Sequence, residues 1–113
     1  MKKNARAALP PALIESLRTL GSHLRTARQA RGWTIAEAAA RSLASAATYK
    51  RLESGEPSVA IGTWITALAQ FQLLEAWLAA TAPQADALGE ALRARKAPRR
   101  VRKPADEDSR YDF

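Results

Sequence analysis

Cations dominate the side chains of this sequence that could do chemistry. The chain carries 18 lysines and arginines, a single histidine, His23, and no cysteine. With no thiolate, one imidazole and no clustered carboxylates ahead of the tail, neither a metal centre nor a nucleophilic triad is suggested. The glycines do not cluster into a phosphate-cradling loop. His23 therefore reads as a surface or helix-packing residue, and no enzymatic activity, metal or cofactor is expected. The cations can hydrogen-bond instead. Lys50 and Arg51 stand in a patterned run from Thr34 to Gly55. There a lysine can reach a phosphate or a guanine edge, and an arginine can bond either one with two N–H groups.

The elements that must position these cations are legible around them. Thr34 and Glu37 have capping-box spacing, which predicts a short helix from Ile35 to about Arg41. After a brief break Ser45 is placed to cap a further helix, whose buried stripe is Tyr49 and Leu52 with help from Thr48. Gly55 and Pro57 end it. A capped helix, a short break and a second amphipathic helix make the layout of a helix-turn-helix, which presents its second helix to the DNA major groove.

Around this unit the pattern is helical throughout. Residues 1–11 read as a basic arm closed by Pro10-Pro11. From Ala12 to about Arg31, the residues Leu13, Leu17, Leu20, Leu24 and Ala27 recur every three or four positions. This is one helix, or two joined near Gly21-Ser22. Gly32 closes it as a residue with positive φ. Ser58 is the expected cap of a fourth helix over Val59 to Phe71, with Ile61, Trp64, Ile65 and Leu68 on its apolar face and Gly62 as a weak point. A break at Gln72 leads to a short fifth helix carrying Leu73, Leu74, Trp77 and Leu78. The expected fold is all-α, a compact five-helix bundle over residues 12–82. Residues 83–113 form an extension, helical from Gln84 to Arg95 with Ala85, Leu88, Ala91 and Leu92 on one side. Beyond Pro98 and Pro104, the end from Asp106 to Phe113 is either a disordered terminus or a docking segment. Trp33, Trp64 and Trp77 fall on apolar faces, which assigns them to core or interface rather than to base stacking.

At 113 residues the chain fits one small domain with tails, and without cysteine its stability has to come from a helical core. No run of apolar residues is long enough to span a membrane, and no apolar segment follows Met1-Lys2-Lys3 as a secretory signal requires. A cytoplasmic protein is the default expectation. The formal net charge of +7 is unevenly spread: +6 over residues 1–31, −3 over 32–92 and +4 over 93–113. Basic flanks around a mildly acidic body can supply phosphate contacts that raise affinity without reading sequence, or can serve only to solubilise. Arg6 and the Arg99, Arg100, Arg102 and Lys103 cluster are the candidates for arms on the DNA backbone or in a minor groove.

Taken in order, Leu20-Gly21, Leu24-Arg25, Arg28 and Arg31-Gly32, then Trp33-Thr34, Glu37 and Ala39, then Arg51-Leu52-Glu53-Ser54-Gly55-Glu56-Pro57-Ser58, resemble the Cro/C1-type (Xre-family) helix-turn-helix domain. The resemblance covers roughly residues 17–80. The continuation from Glu56 to Thr63 is also similar to the small antitoxin partners of HipA-type kinases, which repress their own operons. The resemblance implies a lambda-repressor-like bundle in which Thr34 and Ile35 touch phosphates. It implies that Ser45, Ala46 and Ala47 meet base edges, with Lys50 and Arg51 further along. It also implies that Glu53 is structural and meets an arginine of the first helix, Arg28 or else Arg25, ahead of the closing Gly55.

The sequence departs from that family twice. Leu43 stands where the inter-helix break usually has glycine, so it either avoids a left-handed φ or stores roughly 1 kcal/mol of strain. Alanines occupy positions 46 and 47, where long polar residues are expected. Alanine offers at best a methyl to a thymine methyl, forgoing about 1–3 kcal/mol of discrimination for each bidentate pair that a longer polar side chain would make. Sequence preference then leans on DNA shape, arms and subunit spacing. The resulting expectation is a homodimeric repressor on an operator palindrome, since one small helical unit contacts few bases. The alternative is a module that neutralises a HipA-like toxin kinase, with DNA binding secondary.

Overall fold

The computed structural model describes residues 8–96. They form α1 (Pro11–Ala30), α2 (Ile35–Arg41), α3 (Ala46–Glu53), α4 (Ile61–Gln70), α5 (Leu74–Ala80), a 3-10 turn (Pro83–Ala85) and α6 (Ala87–Lys96). Among the described residues there are six helices and no strand, one helix more than the five-helix layout, and the sixth lies in the extension. The chain divides into two compact units, one through Leu78 and one from Ala79. No helix of the described residues is long and apolar enough to cross a membrane. The arm residue Arg6 and the cluster Arg99, Arg100, Arg102 and Lys103 lie outside the described residues.

In the first unit each apolar stripe meets the others in a single core. Leu24 of α1, Tyr49 and Leu52 of α3, and Trp64 and Leu68 of α4 are buried together with Phe71 just beyond α4. Ala38 and Ala39 are equally buried, and their small side chains let α2 lie close to its neighbours. Trp77 of α5 stacks on Trp64 with ring centroids 5.7 Å apart. In the second unit Asp86 accepts from the Gly89 amide at 2.9 Å and so caps α6. The expected helix start at Gln84 is displaced because Pro83 opens a 3-10 turn that Asp86 interrupts, with φ −107° and ψ 86°.

Four helices end in the same closure. After α1, α2, α3 and α4 a residue enters the left-handed region, and the next amide bonds back five residues. The bonds are Trp33 N–H to Arg28 O (3.2 Å), Ala44 to Ala39 (2.9 Å), Glu56 to Arg51 (3.0 Å) and Leu73 to Leu68 (2.9 Å). Gly32 and Gly55 take this turn with φ of 71° and 76°, whereas Leu43 and Gln72 take it with side chains, at 56° and 61°. Leu43 therefore adopts the strained φ, and it gains no burial in exchange, being 86% exposed.

The first of the two readings of the opening helix holds: α1 runs unbroken through Gly21, a crossing point buried against the C-terminal end of α3. Contrary to the sequence expectation, Ser58 does not cap α4, whose N-cap is Ala60 with no side-chain cap bond. The Val59 amide closes a turn onto Glu56 O at 3.2 Å, and Val59 packs on the core, so the helix starts later.

A Cβ on Gly21 would lie 2.8 Å from Leu52 O and from Glu53 C, backbone atoms that cannot swing away. Gly21→Ala should therefore destabilise the fold by about 2 kcal/mol, the cost of overpacking, measured by urea denaturation. In the same assay Leu43→Gly should stabilise by about 0.5 kcal/mol, because relief of left-handed strain outweighs glycine's added unfolded-state entropy. A loss of stability would show that the exposed leucine holds the turn through interactions of its own.

Candidate nucleic-acid interface

The candidate interface is built on the α2–α3 pair. The Thr34 hydroxyl accepts from the Glu37 amide at 3.0 Å, and the Glu37 carboxylate accepts from the Thr34 amide at 2.8 Å, completing the capping box. The Thr34 amide is thus already donated inside the protein. At α3, Ser45 Oγ accepts from the Thr48 amide at 3.1 Å and donates to Thr48 Oγ1, also at 3.1 Å. These bonds occupy Ser45 as a cap and fix the angle at which α3 leaves the turn.

Around α3, positions advance about 100° per residue, and Tyr49 and Leu52 mark the buried side. Ala47 and Ser54 then fall on the outer crest, with Lys50 and Arg51 leaving on opposite flanks. Ala46, Ala47, Lys50 and Arg51 are all exposed. The Arg51 guanidinium rests 3.4 Å from Thr48 Oγ1, a long contact that leaves most of its donors free. Thr34 and Ser45 are exposed as well, while Ile35 is half-buried and lines one opening with Lys50.

Behind that surface Arg28 meets Glu53. The guanidinium donates to both carboxylate oxygens, Nε to Oε2 at 2.6 Å and Nη2 to Oε1 at 3.1 Å, and a third donor reaches Trp33 O at 3.0 Å. The two side chains are only 12% and 8% exposed. Bonding to Glu53 raises the Arg28 pKa above its ordinary value despite the opposing effect of burial. Arg25, three residues earlier, makes no hydrogen bond or ion pair among the described residues. A cavity of about 310 Å³ opens here, lined by Arg25, Arg28, Ile35, Lys50, Glu53 and Ser54.

A second scaffold lies at the far end of α2. Arg41 sits 4.2 Å over the Trp33 ring, Trp33 stacks on Phe71 at 5.3 Å, and Arg31 lies over Phe71 while donating to its carbonyl at 2.8 Å. Four side chains thus layer cation, ring, ring, cation and tie the ends of α1, α2 and α4 together. Sequence reasoning placed Trp33 near the next helix but missed Arg41 and Arg31. The signal available was weak, an arginine at the end of α1 and another at the end of α2.

Residues 19–76 match the model of the helix-turn-helix domain family. The chain belongs to the helix-turn-helix family. This domain is of the Xre/Cro-like type, and its class of partner is DNA. No curated protein and no solved structure matches the chain.

The helix-turn-helix domain also carries a buried hydroxyl without a partner. Tyr49 is fully buried and its Oη has no hydrogen-bond partner among the described residues. Burial, with the Glu53 carboxylate adding to it, pushes the phenol well above its ordinary value of 10. Unfolded Tyr49 ionises above pH 10 while the folded side chain stays neutral, so this residue's contribution is intact below pH 10 and lost as pH rises beyond it. Tyr49→Phe should leave the fold at least as stable at pH 7, with a gain of about 1 kcal/mol from removing an unsatisfied hydroxyl. It should also shallow the decline in stability above pH 10, followed by urea denaturation across pH. An unchanged alkaline decline would show that other groups govern it.

Proposed function

We propose that this helix-turn-helix protein is a sequence-specific, homodimeric transcriptional repressor that binds an operator palindrome and controls its own operon. The observation that carries the reading is the exposed face of α3. It is held by the Ser45 cap and the Arg28–Glu53 pair, and Arg51 leaves it with donors free for a base edge. A single copy offers one such short helix, and two copies related by a two-fold axis double the base contacts at a spacing of one DNA turn. Ile61 and Ile65, one turn apart on α4 and both exposed, offer apolar surface for the second copy.

A second reading makes the protein the antitoxin of a HipA-like kinase, bound through the same domain. It is favoured by an outer surface rich in methyl groups. Ala46 and Ala47 are exposed with nothing to offer a base but a methyl, and Leu43 and Ile61 are 86% and 67% exposed. Co-purification of a kinase encoded beside it would establish this role.

The DNA reading is tested by titrating the protein's own promoter fragment against a scrambled duplex at two salt concentrations. Both affinities should fall with salt while a difference between them persists. Arg51→Ala should lower the promoter-to-scrambled ratio by about tenfold, within the range expected for removing one arginine from a base edge. Equal affinities for the two duplexes, vanishing together as salt rises, would refute specific repression.

A further inference from the structure

We infer that the cavity between α1, α2 and α3 is a phosphate seat, in which Arg25 and Lys50 close on one backbone phosphodiester of the DNA; the inference rests on the DNA-binding reading above. The cavity wall holds three cations and one carboxylate, but their charges are not equally available. Glu53 is committed to Arg28 by two hydrogen bonds, so that pair contributes a neutral floor. Arg25, from α1, and Lys50, from α3, remain exposed and make no hydrogen bond or ion pair among the described residues. Two unpaired cations from different helices therefore converge on one opening. The ligand class that satisfies them is a singly or doubly charged oxyanion. Ser54 does not compete as a donor, because its hydroxyl is already given to Arg51 O at 3.1 Å. Half-buried Ile35 adds an aliphatic wall, suited to the deoxyribose attached to a backbone phosphate rather than to a bare ion.

Position on α3 separates this seat from base reading. Lys50 and Arg51 are neighbours in sequence but leave the helix on opposite flanks of the crest formed by Ala47 and Ser54. Arg51 leans to Thr48, and Lys50 leans to the cavity it shares with Arg25. If the crest faces the floor of the major groove, the Lys50 flank faces a groove wall, which is sugar and phosphate. Lys50 is thus assigned to anchoring and Arg51 to reading.

The test uses the full-length chain as Arg25→Gln, Lys50→Gln and the double variant, each checked for wild-type helicity. Promoter and scrambled duplexes are titrated across salt. The single variants should weaken both duplexes by the same factor, several-fold. The double variant should flatten the slope of log affinity against log salt by about 0.9, one phosphate contact, with the promoter-to-scrambled ratio unchanged. A changed ratio in Lys50→Gln would overturn the assignment by making Lys50 a base reader, and an unaltered salt slope in the double variant would overturn the seat. Inorganic phosphate titrated by NMR supplies an arm independent of DNA. It should shift the Arg25 and Lys50 side-chain signals together, and neither shift should survive in the double variant. Saturable phosphate shifts in a wild-type protein that binds no duplex would sink the DNA reading and uphold the seat as a free-phosphate site. Absence of both would sink the seat as well.

Discussion

The Arg28–Glu53 pair is the interaction on which the reading surface depends. It links the C-terminal half of α1 to the last turn of α3, and through Trp33 O it also holds the segment leading into α2. Nearly buried, it is no surface ion pair of negligible worth. Breaking it from either side would leave a charge with little water, a cost of about 3–5 kcal/mol. Its bidentate geometry fixes direction as well as distance, so α3 can neither slide along α1 nor roll about its own axis. A helix of eight residues cannot hold its conformation alone in water. The exposed flank of α3 is ordered because the opposite flank is clamped.

The clamp works only because two backbones come close. Gly21 lets α1 pass the carbonyl end of α3, and Gly55 lets the exit from α3 pass the backbone at Leu17 and Arg18. At Gly55 the need is doubled, since its φ is also positive. Leu43 and Gln72 show the other way of making such a turn. Each carries its side chain through the left-handed region, and the six-to-one hydrogen bond that follows helps hold that residue in place. The family's preference for glycine in the inter-helix break is thus a matter of local strain, whereas Gly21 is fixed by packing.

Features written in short-range chemistry were legible in the sequence. The Thr34–Glu37 box, the Ser45 cap, the stop at Gly55 and the Tyr49 and Leu52 stripe all follow from spacing within a turn or two, and each lies where spacing put it. Two features that depend on tertiary contact were not legible. Gly21 leaves one helix or two open until α3 is seen beside it, and Ser58 resembles a cap until the Glu56–Val59 turn takes up its backbone. At the candidate site, the Arg28–Glu53 pair lies where the family resemblance put it, with Arg28 preferred over Arg25. Spacing alone did not show the division of the cations that leaves Arg25 uncommitted.

That division bears on the two alanines. In an isolated helix Ala46 and Ala47 would signal a surface that reads nothing. Here they occupy the first turn of a helix whose cations lean to either side, Lys50 with Arg25 and Arg51 with Thr48. Small side chains on the crest let the α3 backbone approach the groove floor more closely than long polar ones would. On the proposed reading, closer approach would bring Lys50 and Arg25 within reach of a groove wall and Arg51 within reach of a base edge, and it would let a methyl meet a thymine methyl. Recognition of this kind trades hydrogen-bond specificity at the crest for depth of insertion. On that reading, affinity would come from phosphates and discrimination from groove shape, from few bases and from the spacing of two copies.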